Sequence, residues 1–273
     1  MCQYLQVTRS AYYRWLKQPT SPHEQRNNQL AEIIKSIHEA HEEMGYRRIR
    51  DELVRSYGID VSDKRVLRLC RVLEIQSTIK HPANSITRGG RKPYHMAQNK
   101  LNREFQAEKP NEKWVTDISE FKYHTGPETH RLYLSAILDL YDRRIVAYQI
   151  SDTNDNPLVM NTFDQAIRLE PEAHPLLHSD RGYQYTSKPF YQRIQQTGMT
   201  QSMSRVGRCI DNGPMEGFWG MIKREKYYGC LFNSRQNLVD MITSYIDYYN
   251  HRRYQRNLSV RTPMEVYQQY FAA

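Results

Sequence analysis

Three acidic residues far apart in the chain have the types and settings for metal-dependent chemistry. Asp117 lies inside the apolar, β-branched run WVTDIS, where a carboxylate is costly to bury without compensation. Asp180 ends the strand-like run PLLHSD, and Glu216 follows the turn residues Asn-Gly-Pro. Carboxylates that face one another repel, and a divalent cation is the simplest compensation.

The chemistry that such a set could support is phosphodiester cleavage. Ligands that are all oxygen favour hard cations, so Mg²⁺ or Mn²⁺ is expected. Two ions about 3.5–4 Å apart activate an attacking oxygen and stabilise the leaving oxygen of a phosphodiester. A site of this kind, with two ions among three carboxylates, is close to neutral and can accept an anionic nucleic-acid backbone.

Each of these residues also has an ordinary structural explanation. A glutamate near the third helical position favours capping and the helix dipole. Asp180 could be a turn residue before Arg181 and Gly182, and Asp117 could lie at a strand edge. Other carboxylates compete for the same role: Asp139, Asp142, Asp152, Asp155 and Asp211. The residue types alone leave these alternatives open.

The elements that must position the acidic residues begin near residue 111. Three aromatic and β-branched segments predict an antiparallel meander, and alternating helical and strand-like segments then predict two parallel additions to the sheet. The predicted strands are 112–123, 131–142, 144–151, 175–180 and 199–204. This layout is that of an α/β, RNase H-like core, in which Asp117 and Asp180 lie on neighbouring strands. Glu216 would enter from the helix that follows the fifth strand.

The first 75 residues predict a separate helical region. Segments around 27–45, 46–58 and 62–75 have helical spacing of apolar residues, with Gly45 and Gly58 as predicted helix ends and Ser62 as an N-cap. Three short helices of this kind favour a helix-turn-helix-like DNA-binding region over a plain helical hairpin. The last helix places three basic residues on one face, where they could reach phosphates: Arg65, Arg68 and Arg71.

The charge distribution points toward DNA. The chain of 273 residues has a net charge of +9, and residues 76–110 alone carry seven Lys/Arg against two Asp/Glu, which predicts a basic linker along a phosphate backbone or a solvated tether. The predicted domains are a helix-turn-helix-like region at 1–75, the linker at 76–110, a catalytic core at 111–227 and a helical extension at 228–273.

Several function classes are disfavoured by composition. The four cysteines are scattered without zinc-ligand spacing, and His38 and His41 have no further ligands nearby. The sequence has neither a run of about 18 apolar residues nor the architecture of a signal peptide. We therefore expect a cytoplasmic protein, associated with the nucleoid and not with a membrane.

Three blocks of sequence carry a resemblance to a known family. They are WVTDIS, HSDRGYQYTS and SMSRVGRCIDNGPMEGFWGMIKRE, with 62 residues between Asp117 and Asp180 and 35 between Asp180 and Glu216. The chain resembles the DDE transposase and retroviral-type integrase superfamily, and most of all the second-frame (OrfB) transposases of the bacterial insertion-sequence-three family. The tail YYNHRRYQRNLSVRTPMEVY and the segment HEEMGYRRIRDEL resemble the corresponding parts of that family.

The resemblance implies a reaction and a set of roles. Asp117, Asp180 and Glu216 would hold two Mg²⁺ or Mn²⁺ ions, water would cleave a DNA strand at an element end, and the released 3′-OH would attack target DNA. Lys223 falls seven residues after Glu216, where the family has a basic residue near the DNA, and Gly220 would leave room for a DNA backbone. Phosphate contacts are also expected from Arg224 and Arg181. Two tryptophans, Trp114 and Trp219, could stack on a base or pack in the core.

The implied partners are double-stranded DNA, as terminal inverted repeats and target, and further copies of the chain. The family usually fuses a first-frame domain to the second-frame product, and this chain resembles the second-frame product alone. One alternative is therefore a DNA-binding or regulatory product that is inactive without its first-frame partner. Another is a nuclease for RNA–DNA hybrids, against which the 35-residue interval and the basic tail argue.

Overall fold

The computed structural model describes residues 7–17, 21–79, 93–206 and 208–272. The chain divides into two compact units, Met1–Thr78 and Ile79–Ala273, and each is described by itself. Much of the basic stretch of the predicted linker, residues 80–92, lies outside the described residues.

The first unit is helical. Its described helices are α1 (Arg9–Lys17), α2 (Pro22–Ala40), α3 (Tyr46–Tyr57) and α4 (Asp63–Val72). Helices α2, α3 and α4 pack on one another through apolar residues such as Ile34, Leu53 and Val66, which are fully buried. Ser62 caps α4 by accepting a hydrogen bond from the backbone N–H of Arg65, as the sequence predicts.

The two predicted glycine stops have different outcomes. Gly58 follows α3 in the left-handed region, with φ of 66°, so the predicted end of that helix is confirmed. The prediction that Gly45 ends the preceding helix is wrong, because α2 ends at Ala40 and Gly45 is the N-cap of α3. Residues 41–44 form a turn that buries Met44, and burial of this side chain replaces the last predicted helical turn.

The second unit is built on a five-stranded mixed sheet with the predicted topology. Its strands are β1 (Lys113–Thr125), β2 (Glu128–Asp139), β3 (Ile145–Ser151), β4 (Leu176–Ser179) and β5 (Thr200–Met203). The order across the sheet is β3-β2-β1-β4-β5. Strands β1 to β3 pair antiparallel, and β4 and β5 add in parallel. The expected RNase H-like arrangement is confirmed.

Helices cover both faces of this sheet. They are α5 (Asn156–Leu169), α6 (Lys188–Thr197), α7 (Gly213–Ile222), α8 (Arg235–His251) and α9 (Pro263–Ala272). Alternate residues of β1 enter two different cores: Trp114 packs with residues of α5 and α6, and Val115 packs with residues of α7 and α8. Asp117 lies two residues after Val115, so it is on the face that α7 and α8 cover.

Part of the chain before β1 lies against this second unit. The backbone N–H groups of Lys100 and Leu101 donate to Ser202 Oγ on β5, at 2.9 and 3.1 Å, and Leu101 is buried. Met203 donates to the carbonyl of Gln98. The described residues 98–101 are therefore fixed on the sheet, within the range predicted as linker.

The end of α7 continues as one π-helical turn, residues Lys223–Tyr227. Glu225 in this turn is buried and pairs with Arg253 at 2.7 Å, and it also accepts a hydrogen bond from Tyr245 of α8. Asn250 near the end of α8 bonds to both backbone groups of Ile145 on β3. Asn250 and Arg253, which belong to the basic C-terminal tail, therefore bond to β3 and to the π-helical turn.

No helix among the described residues is both long and apolar enough to cross a membrane.

Candidate active site

The pairing of β1 with β4 brings two of the predicted acidic residues together. Trp114 pairs with Leu177 and Val115 with His178 in parallel register. Two residues further along both strands, the same register places Asp117 opposite Asp180, just beyond the end of β4. One Asp180 oxygen accepts the backbone N–H of Gly182 at 2.8 Å, which fixes the turn that follows.

Asp117 is half-buried and electrostatically strained. Burial raises the pKa of its carboxyl to about 7, and the charge of Asp180 adds to the rise, with a smaller contribution from Glu216. Hydrogen bonds from the Ile118 backbone and from the indole of Trp219 act in the opposite direction. Burial and the neighbouring charge of Asp180 therefore both favour the protonated carboxyl when no cation is nearby.

Asp180 has a similar electrostatic setting, although its side chain keeps contact with solvent. Loss of hydration raises the pKa of its carboxyl, and the bond from Gly182 lowers it. Burial and the charges of Asp117 and Asp180 also raise the pKa of the Tyr185 phenol well above its usual value. The pair therefore creates a region of negative potential that a cation would relieve.

Glu216 approaches from α7. The helix is fixed at its start, because the Asn212 side-chain amide donates to the carbonyl of Thr116, the residue before Asp117, at 3.1 Å. Glu216 is exposed in the first turn and makes no hydrogen bond or ion pair with other described residues. Its charge acts on Asp117 and its carboxylate oxygens are available to a ligand.

The three carboxylates fit a metal ion by their chemistry but are not closed around one position. Among the residues that the structure describes, no three His, Cys, Asp or Glu side chains form a group that could hold a metal ion as they stand. The charges of Asp180 and Glu216 both act on the Asp117 carboxyl and raise its pKa. The donor set is all oxygen and negatively charged, which is the chemistry that Mg²⁺ and Mn²⁺ favour.

The carboxylates that compete with this set in the sequence have other partners. Asp211 is buried and bonded to Arg205 and Arg103, which hold the pKa of its carboxyl far below its usual range. Two others form ion pairs with arginines, Asp142 with Arg144 and Asp152 with Arg235. Asp155 accepts a hydrogen bond from the backbone N–H of Leu158. Asp139 accepts N–H groups of Asn111, Trp114 and Tyr141. These contacts assign them structural roles.

The basic residues predicted near the site have different surroundings. The Lys223 ammonium lies 5.0 Å from the centre of the Phe121 ring, and loss of hydration lowers its pKa, while the charges of Asp117 and Glu120 oppose this. Arg181 donates to the carbonyl of Ser204 at 2.7 Å. Arg224 lies over Gly220.

The three arginines predicted on α4 belong to the first unit and are not equivalent. Arg65 is half-buried and donates to the Asn27 side chain at 2.9 Å, so its guanidinium is held against α2. Arg68 and Arg71 are exposed. Of these three arginines, Arg68 and Arg71 therefore have guanidinium groups that are open to solvent.

Sequence reasoning did not identify the role of Trp219. Its indole N–H donates to Asp117 Oδ2 at 3.0 Å, and the side chain is buried. Trp114 is fully buried as well, so the hypothesis that these two rings stack on a base is wrong and the core-packing alternative is confirmed. The available signal was the position of Trp219, three residues after Glu216 and therefore on a nearby face of α7.

Comparison with known proteins agrees with this arrangement. Residues 107–209 and 197–263 match models of an integrase core domain, and residues 25–83 match a model of an HTH-like domain. InsK of insertion sequence IS150 from Escherichia coli is 37% identical over 95% of this chain and 89% of that protein. A 31 kDa protein of insertion element IS600 from Shigella sonnei is 33% identical over 99% of this chain and 98% of its own length.

The comparisons also include a further relative and a solved structure. The transposase InsF of insertion sequence IS3A from Escherichia coli is 28% identical over 93% of this chain and 88% of that protein. The magnesium-bound catalytic core of the HTLV-2 integrase superposes with a TM-score of 0.46 at 18% identity, covering 59% of this chain and 98% of that one. The integrase core family uses divalent metal ions.

Proposed function

This chain belongs to the insertion-sequence-three family of DDE-type DNA transposases, and from that premise we propose that it cuts DNA strands at element ends and joins the released 3′-OH to target DNA. Two Mg²⁺ or Mn²⁺ ions, held by Asp117, Asp180 and Glu216, would activate the attacking oxygen and stabilise the leaving oxygen when bound. What supports this proposal is the parallel pairing of Val115 with His178, which brings Asp117 level with Asp180 when it is continued by two residues, together with the raised pKa of Asp117.

The protein's own residues have separate tasks in this proposal. Trp219 holds the Asp117 carboxyl in place, and Asn212 holds the start of α7 against β1. Glu216 is free of protein partners among the described residues and would complete the ligand set when a cation is bound. A cation held here would favour the ionised form of the Asp117 carboxyl, opposing the burial that raises its pKa.

Several basic residues bind DNA phosphates in this proposal. Lys223, Arg224 and Arg181 lie in the catalytic unit, and their charge holds the strand near the carboxylates. In the first unit Arg68 and Arg71 reach the backbone of a terminal inverted repeat. Arg65 contributes less, because its guanidinium is bonded to Asn27.

The proposed setting is a complex on DNA in the bacterial cytoplasm, at the nucleoid. Two element ends must be cut and joined to one target, so more than one copy of the chain assembles there. The first-frame product, or a fusion with it, is a further proposed partner that supplies end recognition. Double-stranded inverted repeats and target DNA are the substrates.

The direct test is cleavage and strand transfer on a duplex that carries an element end, with Mg²⁺. Asp117→Asn, Asp180→Asn and Glu216→Gln should each abolish cleavage and leave DNA binding measurable. Asp152→Asn is the matched control, because this carboxylate pairs with Arg235 at the surface. Retained cleavage in any of the three removes that residue from the site. DNA binding without cleavage, followed by cleavage once the first-frame domain is added, would favour a second-frame product that depends on its partner.

A further inference from the structure

The guanidinium of Arg224, in the π-helical turn that continues α7, lies against Gly220. A Cβ atom built on Gly220 would stand 2.7 Å from Arg224 Nη1 and 3.2 Å from its Cζ and Nη2. Three atoms of the planar group are this close, so the guanidinium lies across the bare backbone of Gly220. The space that Gly220 leaves, which the sequence assigned to a DNA backbone, is filled by Arg224.

Arg224 also differs from the other half-buried arginines of the described residues 93–272, because it has no acceptor. Five others each donate to a carbonyl or carboxylate: Arg143, Arg181, Arg193, Arg253 and Arg261. Arg224 makes no hydrogen bond or ion pair with the residues that the structure describes. A guanidinium without a protein acceptor keeps its five N–H donors available to a ligand.

The position of this group relates it to the acidic site. Glu216 and Gly220 are one turn apart on α7, and helical side chains lean toward the N-terminus. The guanidinium therefore lies about 6 Å along the helix axis from the level of Glu216. We propose that Gly220 is a positioning residue, which seats the Arg224 guanidinium so that it binds a DNA phosphate beside the metal-binding carboxylates.

The expected ligand group is a phosphodiester, because a planar guanidinium donates two parallel N–H bonds to two oxygens of one phosphate. The inference rests on the proposed function for the presence of DNA at this site. It adds a specific requirement to that function: the residue at 220 must lack a side chain, since a methyl group there would displace the guanidinium.

The chain offers a matched pair of glycines for the test. A Cβ on Gly217, three residues earlier in the same helix, would meet nothing within 4 Å. Gly220→Ala and Gly217→Ala add the same methyl group and gain the same helix propensity. Only the change at 220 moves Arg224, whose flexible side chain can shift without unfolding the helix. Both variants should melt no lower than the parent.

The measurement is equilibrium binding of an element-end duplex in EDTA, across a series of salt concentrations. Gly220→Ala should bind about tenfold more weakly, as for loss of one charge-assisted contact. The slope of log K against log salt concentration should become shallower by about 0.9, as for one lost phosphate. Gly217→Ala should match the parent in both respects. Equal affinities of the two alanine variants would overturn the proposal.

Variants of Arg224 make the test independent of the glycine. Arg224→Ala should reproduce the loss, and adding Gly220→Ala to it should change nothing further. Arg224→Lys should keep the slope of log K against log salt concentration, because the positive charge stays. It should lose affinity, because lysine cannot donate two parallel N–H bonds to one phosphate. A further loss of affinity in the double variant would mean that Gly220 acts independently of Arg224. That result would overturn the proposal that Gly220 positions the guanidinium. Failure of the parent protein to bind element-end DNA, both alone and with the first-frame domain added, would instead contradict the proposed function, and this inference with it.

Discussion

The indole N–H of Trp219 donates to Asp117 Oδ2 at 3.0 Å, which joins helix α7 to the middle of strand β1. Glu216 lies one turn earlier on the same helix. The orientation of one proposed metal ligand is thus fixed by a residue on the element that carries another. A shift of α7 would therefore change the position of Glu216 and the hydrogen bond to Asp117 together.

Trp219→Phe tests this bond, because it removes the donor and keeps an aromatic ring in the core. The hydrogen bond favours the ionised carboxylate, so its loss should raise the pKa of Asp117 further above about 7. Cleavage at pH 7 should fall about ten- to a hundredfold, and the acid limb of the pH–rate profile should move to higher pH. Rates between pH 6 and 9 at a fixed Mg²⁺ concentration below saturation measure this. A slower enzyme with an unmoved acid limb would indicate a packing role only.

The raised pKa of Asp117 also predicts how stability depends on pH. The folded protein binds this proton more tightly than the unfolded chain, so the contribution is complete below about pH 4 and is lost as pH rises through about 7. Urea unfolding in EDTA should show the free energy of unfolding falling across that window. Asp142, whose pKa is also raised to about 7, adds a similar slope. Asp117→Asn should therefore reduce the slope and not abolish it.

Adding Mg²⁺ to the parent protein at pH 8 should reverse that loss, because a ligand that binds only the folded state stabilises it. The gain should be absent in Asp117→Asn. A gain of equal size in parent and variant would mean that the cation binds elsewhere. The comparison needs no activity, so it tests the metal site even if cleavage requires a further domain.

Asn212→Ala should separate positioning from ligation. The change removes the bond to the Thr116 carbonyl and leaves that buried group without its side-chain donor, at a cost of about 1–3 kcal/mol in the free energy of unfolding. Cleavage should fall as well, because α7 is no longer fixed beside Asp117. Glu216→Gln is the contrast, since an exposed residue without protein partners should lose cleavage at unchanged stability. Denaturation midpoints and cleavage rates of the two variants provide the comparison.

The pair of Glu225 and Arg253 supports the π-helical turn that carries Lys223. Both side chains are nearly enclosed, with exposed fractions of 4% and 11%. Arg253→Met should lower the free energy of unfolding by about 3–5 kcal/mol, because it leaves a buried carboxylate without its partner. Adding Glu225→Gln should recover part of that loss. No recovery in the double variant would show that Arg253 acts mainly through other contacts.

Most helices and strands of the second unit could be predicted from local sequence patterns. The meander, the two parallel strands and the helices between them lie within a few residues of their predicted bounds, because alternation and helical spacing are properties of short segments. Ser62 and Gly58 were predictable for the same reason, as cap chemistry is local. The misplaced stop at Gly45 shows the limit, since α2 ends at Ala40 and the turn that follows buries Met44, a contact that depends on the tertiary fold.

The sequence by itself determined the family and the strand order, and it predicted three acidic residues as metal ligands, since residue types and intervals carry that information along the chain. Only the tertiary structure decided which polar groups meet. Trp219 on Asp117, Asn212 on Thr116 and Arg253 on Glu225 join segments far apart in the chain. Their partners depend on how elements pack in space, and no periodicity within one segment records that.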